Sequence, residues 1–395
     1  MALDALFPAD LEPVREAARR ALGTIRQADS TTRAGKNFLH DAKRTEAGRD
    51  LPSYYLVYFL LVDLLGFTDL GQSEKIAWSV PIDFKGEAFL VEHRKFGLGL
   101  FARNPSTQEG DAKQIVVRIR KAVKAARPYF DWLASEAVVR SQVNIRNNSA
   151  PLFGRYEFLL ASYRTKQGEA ERRKDERIVE KGKTKHGTWT SVTYPTYQLR
   201  REGSWLALSA IEAFFSWSEH VLIHLAVLSR KITSANEVAH LAEASWAAKF
   251  GAAIGLTDPV AKLHYDRMAT IRQDLRNYVA HGSFGKQGEA FSFHSGAGAV
   301  PVLLPHKRGS NRFTLGHGLE FDAEEAFSAI DRFISFLWSG DRAPARLYIQ
   351  ESYLPVILPY ATNGMYAQAM TSIEEMETFI SHLSEEVDRS ANMDW

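Results

Sequence analysis

The chain has 395 residues, 45% hydrophobic and 24% charged, with a formal net charge of +2 and no cysteine. This is a globular composition with core material for two or three domains. Near-neutrality excludes a global field for polyanions, so nucleic-acid contact would need local basic patches; the lack of cysteine excludes disulfides, thiolate metal sites and cysteine nucleophiles, and suits a reducing compartment.

Residues 1–10 lack the basic and apolar regions of a signal peptide. The most apolar segment, residues 54–65, contains Asp63 and falls short of the about 20 apolar residues that span a bilayer. The expectation is a cytoplasmic protein without membrane association. In chain order, residues 10–25, 33–46 and 53–65 read as helices. Residues 76–84, 88–92 and 96–101 read as strands, with Lys85-Gly86 as a hairpin turn. A basic helix follows over 112–126. Val116, Ile119 and Val123 form its apolar stripe, and Arg118, Arg120, Lys121 and Lys124 point outward. A solvated face is the preferred reading of those cations and an RNA-backbone patch the second.

Residues 156–164 read as a helix running into 169–186, a dense mixed-charge stretch around Lys181-Gly182-Lys183. Its few apolar residues predict a solvated helix end or mobile loop, and a domain boundary nearby. The expected division is an N-terminal helical and α+β domain over 1–195, a helical bundle over 196–340 and a C-terminal helical extension over 341–395. Bundle helices are expected over 203–228, over 234–250 with Ser234 as N-cap, and from Asp258-Pro259 to His281 with Gly282 as the stop. A hairpin-like stretch over 299–321, a helix over 323–338 and a last helix near 371–383 complete the chain. The fold class is therefore mainly α with small antiparallel β elements.

Residues 276–282 read Arg-Asn-Tyr-Val-Ala-His-Gly. Arginine with four to six residues before histidine is a weak pattern alone, since Arg312 with His317 and Arg33 with His40 also satisfy it. Helical geometry separates them. At about 100° per residue with Arg276 at zero, Ala280 falls near 40°, Asn277 near 100° and His281 near 140°. Tyr278, Ile271, Leu275, Met268 and Val279 fall between about 200° and 300°, so one face packs and the other carries Arg, Asn and His. Arg312 and His317 enclose Phe-Thr-Leu-Gly in the hairpin-like stretch, and Arg33 and His40 enclose a glycine.

Leu275-Arg276-Asn277 with Ala280-His281-Gly282 resembles the Leu-Arg-Asn-x-x-Ala-His-Gly form of the HEPN superfamily. Residues 210–215, Ala-Ile-Glu-Ala-Phe-Phe, resemble that family's opening helix. The resemblance is confined to the C-terminal half. It implies a helical bundle that forms homodimers with two motifs facing one cleft. It also implies metal- and cofactor-independent cleavage of single-stranded RNA, in a bacterial toxin or antiviral-defence effector. Arg276 would hold the phosphate, His281 would act as general acid or base, and Asn277 would orient the ring or substrate. Ser283 stands where partnered toxins of this family carry an AMP-accepting tyrosine, a departure from that mode of regulation.

Glu212, Ser216 and Glu219 form a polar stripe at three- and four-residue spacing on the opening helix, with Glu212 the preferred support for the motif. A solvent-facing stripe is the plainer reading. The competing function is a catalytically silent HEPN module that binds nucleic acid or a ligand, or that dimerises. The N-terminal half would then, as in the catalytic reading, receive a regulatory partner or ligand. His220 and His224 have metal-compatible spacing, but no third ligand is apparent and they read as a structural pair. Gly97-Leu98-Gly99 lies in strand-like sequence and does not open a phosphate-binding helix. No Gly-x-Ser-x-Gly elbow is present.

Overall fold

The computed structural model describes residues 8–185, 187–280, 289–303, 314–315 and 322–393, and at residues 276–280, 289–291, 301, 303 and 314–315 the backbone alone. The fold is mainly α with small antiparallel sheets, as the sequence indicates. The chain divides into two units, Met1–Arg140 with Ser381–Trp395, and Ser141–Ile380. The division thus falls well before residue 195, because residues 149–172 pack against the helix that opens the bundle, as described below.

The first unit begins with α1 (Glu12–Leu22) and β1 (Ile25–Gln27), then α2 (Phe38–Asp41), β2 (Lys43–Arg44) and α3 (Tyr54–Tyr58). The helix expected over 33–46 is reduced to α2. Arg33 is tied to the sheet, its N–H donating to the Gly86 carbonyl at 2.9 Å and its side chain pairing with Glu87 at 2.7 Å. Asn37 then enters α2 from the left-handed region at φ 63°. Arg33 and His40 therefore share no helix.

After Tyr58, α3 widens into a π-helical stretch, Phe59–Leu64, that buries Leu60, Leu61 and Leu64. The expected strands appear as β3 (Ile76–Phe84), β4 (Glu87–Arg94) and β5 (Gly97–Ala102). Lys85 and Gly86 join the first two with φ of 59° and 83°, the two positive values that a tight hairpin turn needs. The five-stranded antiparallel sheet has the order β1-β3-β4-β5-β2. Helix α4 (Pro105–Ala125) places Ile115 and Ile119 in one core with Val80, Ile82, Phe84, Phe89 and Val91, and α5 (Arg127–Val139) follows.

The second unit opens with β6 (Asn144–Ile145) and α6 (Ser149–Arg172), then β7 (Ile178–Thr184), β8 (Gly187–Thr193) and α7 (Pro195–Leu228). Helices α6 and α7 run antiparallel. Thr196 donates to the Ala170 carbonyl at 3.1 Å, Lys166 pairs with Glu202 at 2.6 Å, and the Phe153 ring lies 4.8 Å from Trp217. Of the stretch 169–186, expected to be a solvated helix end or mobile loop, residues 169–172 end α6 and residues 178–184 form the first strand of the β7–β8 hairpin. A backbone ladder from Ile178↔Thr193 to Thr184↔Gly187 orders it, a source of stability independent of buried apolar area.

The single helix expected over 234–250 is two, α8 (Ala235–Glu243) and α9 (Trp246–Ala253). Ser234 and Glu237 form a reciprocal capping box, and Ser245 caps anew after the extended Ala244. Helix α10 (Pro259–Ala280) starts at Asp258, whose carboxylate accepts from the Val260 and Ala261 N–H groups at 3.2 and 3.1 Å. A sheet of order β11-β10-β9 is built from β9 (Glu289–Ser295), β10 (Gly298–Leu303) and β11 (Thr314–Leu315). Helix α11 (Ala323–Leu337) is capped by Asp322.

The rest comprises α12 (Ala343–Arg346), β12 (Val356–Ile357), α13 (Pro359–Thr362), α14 (Met365–Ala369) and α15 (Ile373–Asn392). Residues 341–380 belong to the second unit and do not form a separate extension. β12 pairs with β6, and the Trp217 indole N–H donates to both Gln350 and Ser149. Among the described residues α7 is the one helix long and apolar enough to cross a membrane, and 56% of its apolar 18-residue portion is buried in the protein.

Candidate functional site

The motif helix has the two faces that its sequence demands. Met268, Ile271 and Leu275 are buried, at 0%, 4% and 7% exposure, while Arg272, Gln273 and Asp274 are exposed. Tyr265 stacks on Trp246 of α9, and His264 stacks on Phe336 of α11 with centroids 4.4 Å apart. These contacts fix α10 against the bundle along its apolar face. Arg276 and Asn277 lie on its helical backbone. Their side chains, the whole of His281, and Gly282, Ser283, Arg312 and His317 lie outside the described residues.

One turn before Arg276, Arg272 makes an ion pair from α10 to Glu219 of α7, Nη1 to Oε1, at 3.0 Å. The other oxygen of Glu219 accepts from Nζ of Lys249 on α9 at 2.7 Å. One carboxylate therefore joins three helices. Lys249 is 4% exposed, so Glu219 supplies the counter-charge that an otherwise solvent-starved ammonium requires. The Arg272 guanidinium also lies over the Phe215 ring, 5.5 Å from its centroid.

Of the polar stripe on α7, Glu219 is thus engaged with α10. Glu212 and Ser216 are exposed, and neither side chain makes a hydrogen bond or ion pair with a described residue. Lys249 escaped sequence reasoning, since a lysine in an apolar helix reads as a surface residue.

His220 and His224 pack ring to ring, centroids 4.1 Å apart. Nε2 of His220 accepts from the Asn148 N–H at 2.9 Å, and Nδ1 of His224 lies 2.9 Å from the His220 carbonyl, so it is the donor. Burial, reinforced by His224, pushes His220 down to about 3, and burial also lowers His224. Burial favours the neutral form of both rings, and the engagement of His220 Nε2 with the Asn148 N–H opposes a shared metal. Among the described residues no three or more His, Asp or Glu side chains are placed to hold an ion.

The basic helix α4 uses two of its cations internally, Arg118 donating to the Leu22 carbonyl at 3.4 Å and Arg120 to the Asp50 carbonyl at 2.8 Å. Lys121 and Lys124 remain exposed. Gly97 and Gly99 lie in β5, as their strand-like setting indicates.

The fold and site together define a largely helical unit with a charged junction between α7 and α10, the helix on whose backbone Arg276 and Asn277 lie. No family model, curated protein or solved structure matches the chain.

Proposed function

We propose that this chain is a metal-independent endoribonuclease of HEPN type that cleaves single-stranded RNA. The observation that carries the reading is the continuous helix α10. It is capped at Asp258, buries its apolar side, and is joined through Arg272 to Glu219 one turn before Arg276. Such a helix offers a rigid base on which Arg276, Asn277 and His281 can act together.

In this mechanism the substrate's 2′-hydroxyl oxygen attacks the adjacent phosphorus. The P–O5′ bond breaks, leaving a 2′,3′-cyclic phosphate and a 5′-hydroxyl. His281 takes the 2′-hydroxyl proton or delivers one to the leaving oxygen, since an imidazole titrates near working pH. Arg276 offsets the charge growing on the phosphate oxygens, and Asn277, four residues before His281, orients the ring or the substrate. Glu219, through Arg272, positions this helix. A homodimer would bring two motifs to one cleft. The wider proposal is a cytoplasmic toxin or antiviral-defence effector whose first unit receives a regulatory signal.

The test is cleavage of RNA in EDTA by the wild type, His281→Ala and Arg276→Ala, with the product ends identified. Cyclic-phosphate ends are expected from wild type, and each variant should lose about 100-fold or more in rate while keeping its melting temperature and oligomeric state. Cleavage surviving in His281→Ala would place the chemistry elsewhere. No cleavage of varied RNAs by wild type would favour a silent binding or dimerisation module.

A further inference from the structure

Between Lys181 and Arg201 the chain carries five cations, Lys181, Lys183, Lys185, Arg200 and Arg201, and no Asp or Glu. In a chain of net charge +2 this is a pronounced local concentration. The three lysines make no ion pair with any described residue. They lie on or beside the β7–β8 hairpin, where every described residue except Gly182 and Ser191 is exposed. The hairpin therefore contributes nothing to a core.

The same stretch holds exposed rings. Trp189 is 46% exposed, Tyr194 42% and Tyr197 66%, with the two tyrosine rings edge to face at 5.9 Å. Strand alternation puts Lys181 and Lys183 on one face with Thr188 and Thr190, and Trp189 on the other. Trp189 pairs with Gly182, where a Cβ would fall 2.6 Å from the indole. Glycine lets the ring lie against the strand, which floors one side of the indole and leaves the other side in solvent. Lysines on a sheet edge oppose pairing with a second copy by like-charge repulsion. That role explains the lysines but not three exposed aromatic residues.

We propose that the β7–β8 arm and the first turns of α7 bind single-stranded nucleic acid. Lysines and arginines follow the phosphates, and Trp189, Tyr194 and Tyr197 receive unstacked bases. The cation and ring content carries this on its own; that the strand is RNA rests on the proposed nuclease reading. Glu219 lies 24 residues beyond Pro195 on α7, about 36 Å at the helical rise. The arm thus grips the strand at a distance from the candidate cleavage position.

The experiment is fluorescence anisotropy of the full chain with a labelled 2′-O-methyl oligouridine 20-mer. Its blocked 2′-oxygens prevent cleavage, so binding is read apart from catalysis. Wild type is compared with Trp189→Ala and with the triple variant Lys181→Gln, Lys183→Gln, Lys185→Gln. The triple variant is expected to flatten the slope of log affinity against log salt by about 2, and Trp189→Ala to weaken binding about fivefold or more. Absent wild-type binding, or equal affinity and salt slope in all three proteins, would overturn the proposal. Variants that keep their affinity but change mass by light scattering would overturn it too, making the arm a contact between copies. Wild type that binds through the arm yet cuts no RNA would sink the nuclease reading and leave this one standing.

Discussion

Toward its C-terminal end α7 buries Phe214 and Trp217 completely, whereas near its N-terminal end Tyr197 is 66% and Trp205 60% exposed. The buried rings meet other rings at every turn: Phe214 touches Tyr156 and Phe333, and Phe333 touches Trp246 and Phe250. The exposed rings of this end and of the adjoining hairpin meet few neighbours. Aromatic residues on one helix therefore do different physical work. Those in the bundle stabilise the fold by leaving water, and those at the hairpin end keep apolar faces in water, where they can do the same for a ligand.

The contrast can be broken at its strongest point first. Phe333→Ala should cost about 3–5 kcal/mol by denaturant melting, because a cavity opens among α7, α9 and α10. A cost under about 1 kcal/mol would mean that these rings are not the core. Next comes the charged junction. Glu219→Ala strands Lys249 without its counter-charge and should cost about 3 kcal/mol, whereas Lys249→Met, which removes the buried ammonium itself, should cost clearly less. Equal costs would show that the ion pair stabilises the bundle on balance.

The histidine pair on α7 gives a smaller effect with a definite sign. The folded chain holds His220 down to about 3 against an ordinary 6.5, and lowers His224 as well. The unfolded chain therefore binds more protons below pH 6.5. The stability is complete above 6.5 and is lost progressively as pH falls toward 3. One such group loses about 2 kcal/mol between pH 6.5 and 5, and melts of wild type against His220→Gln would show a shallower dependence in the variant. A parallel dependence would mean that His220 is not the responsible group. Trp189→Ala should have the smallest effect on stability, within about 0.5 kcal/mol, since its ring supports no core. A loss of 2 kcal/mol would erase the distinction between the two ends.

Much of the local structure was legible in the residues. Asp258-Pro259 starts α10, Ser234 with Glu237 starts α8, Lys85-Gly86 turns β3 into β4, and Met268, Ile271 and Leu275 mark the packing side of α10. Each signal acts between near neighbours, through sterics, capping or helical period, and so is written in a short window. The face on which Arg276, Asn277 and His281 are expected rests on the same helical period, and those side chains lie outside the described residues. Where locality failed, the competing force came from afar. The helix expected over 33–46 gave way to hydrogen bonds from Arg33 to Gly86 and Glu87; residues 178–193, by contrast, form a hairpin held by its own local ladder rather than by burial.

The sequence by itself thus determined the class of fold, the starts of β3, α8, α10 and α11, and the two-faced character of the motif helix, because period and caps need only neighbouring residues. The tertiary structure decided that α6 belongs with α7, that Lys249 is buried, and that Glu219 bridges Lys249 and Arg272 across 30 and 53 residues of chain. No short window contains such partners. Packing alone brings them within reach, and the loss of water around Lys249 makes the junction matter.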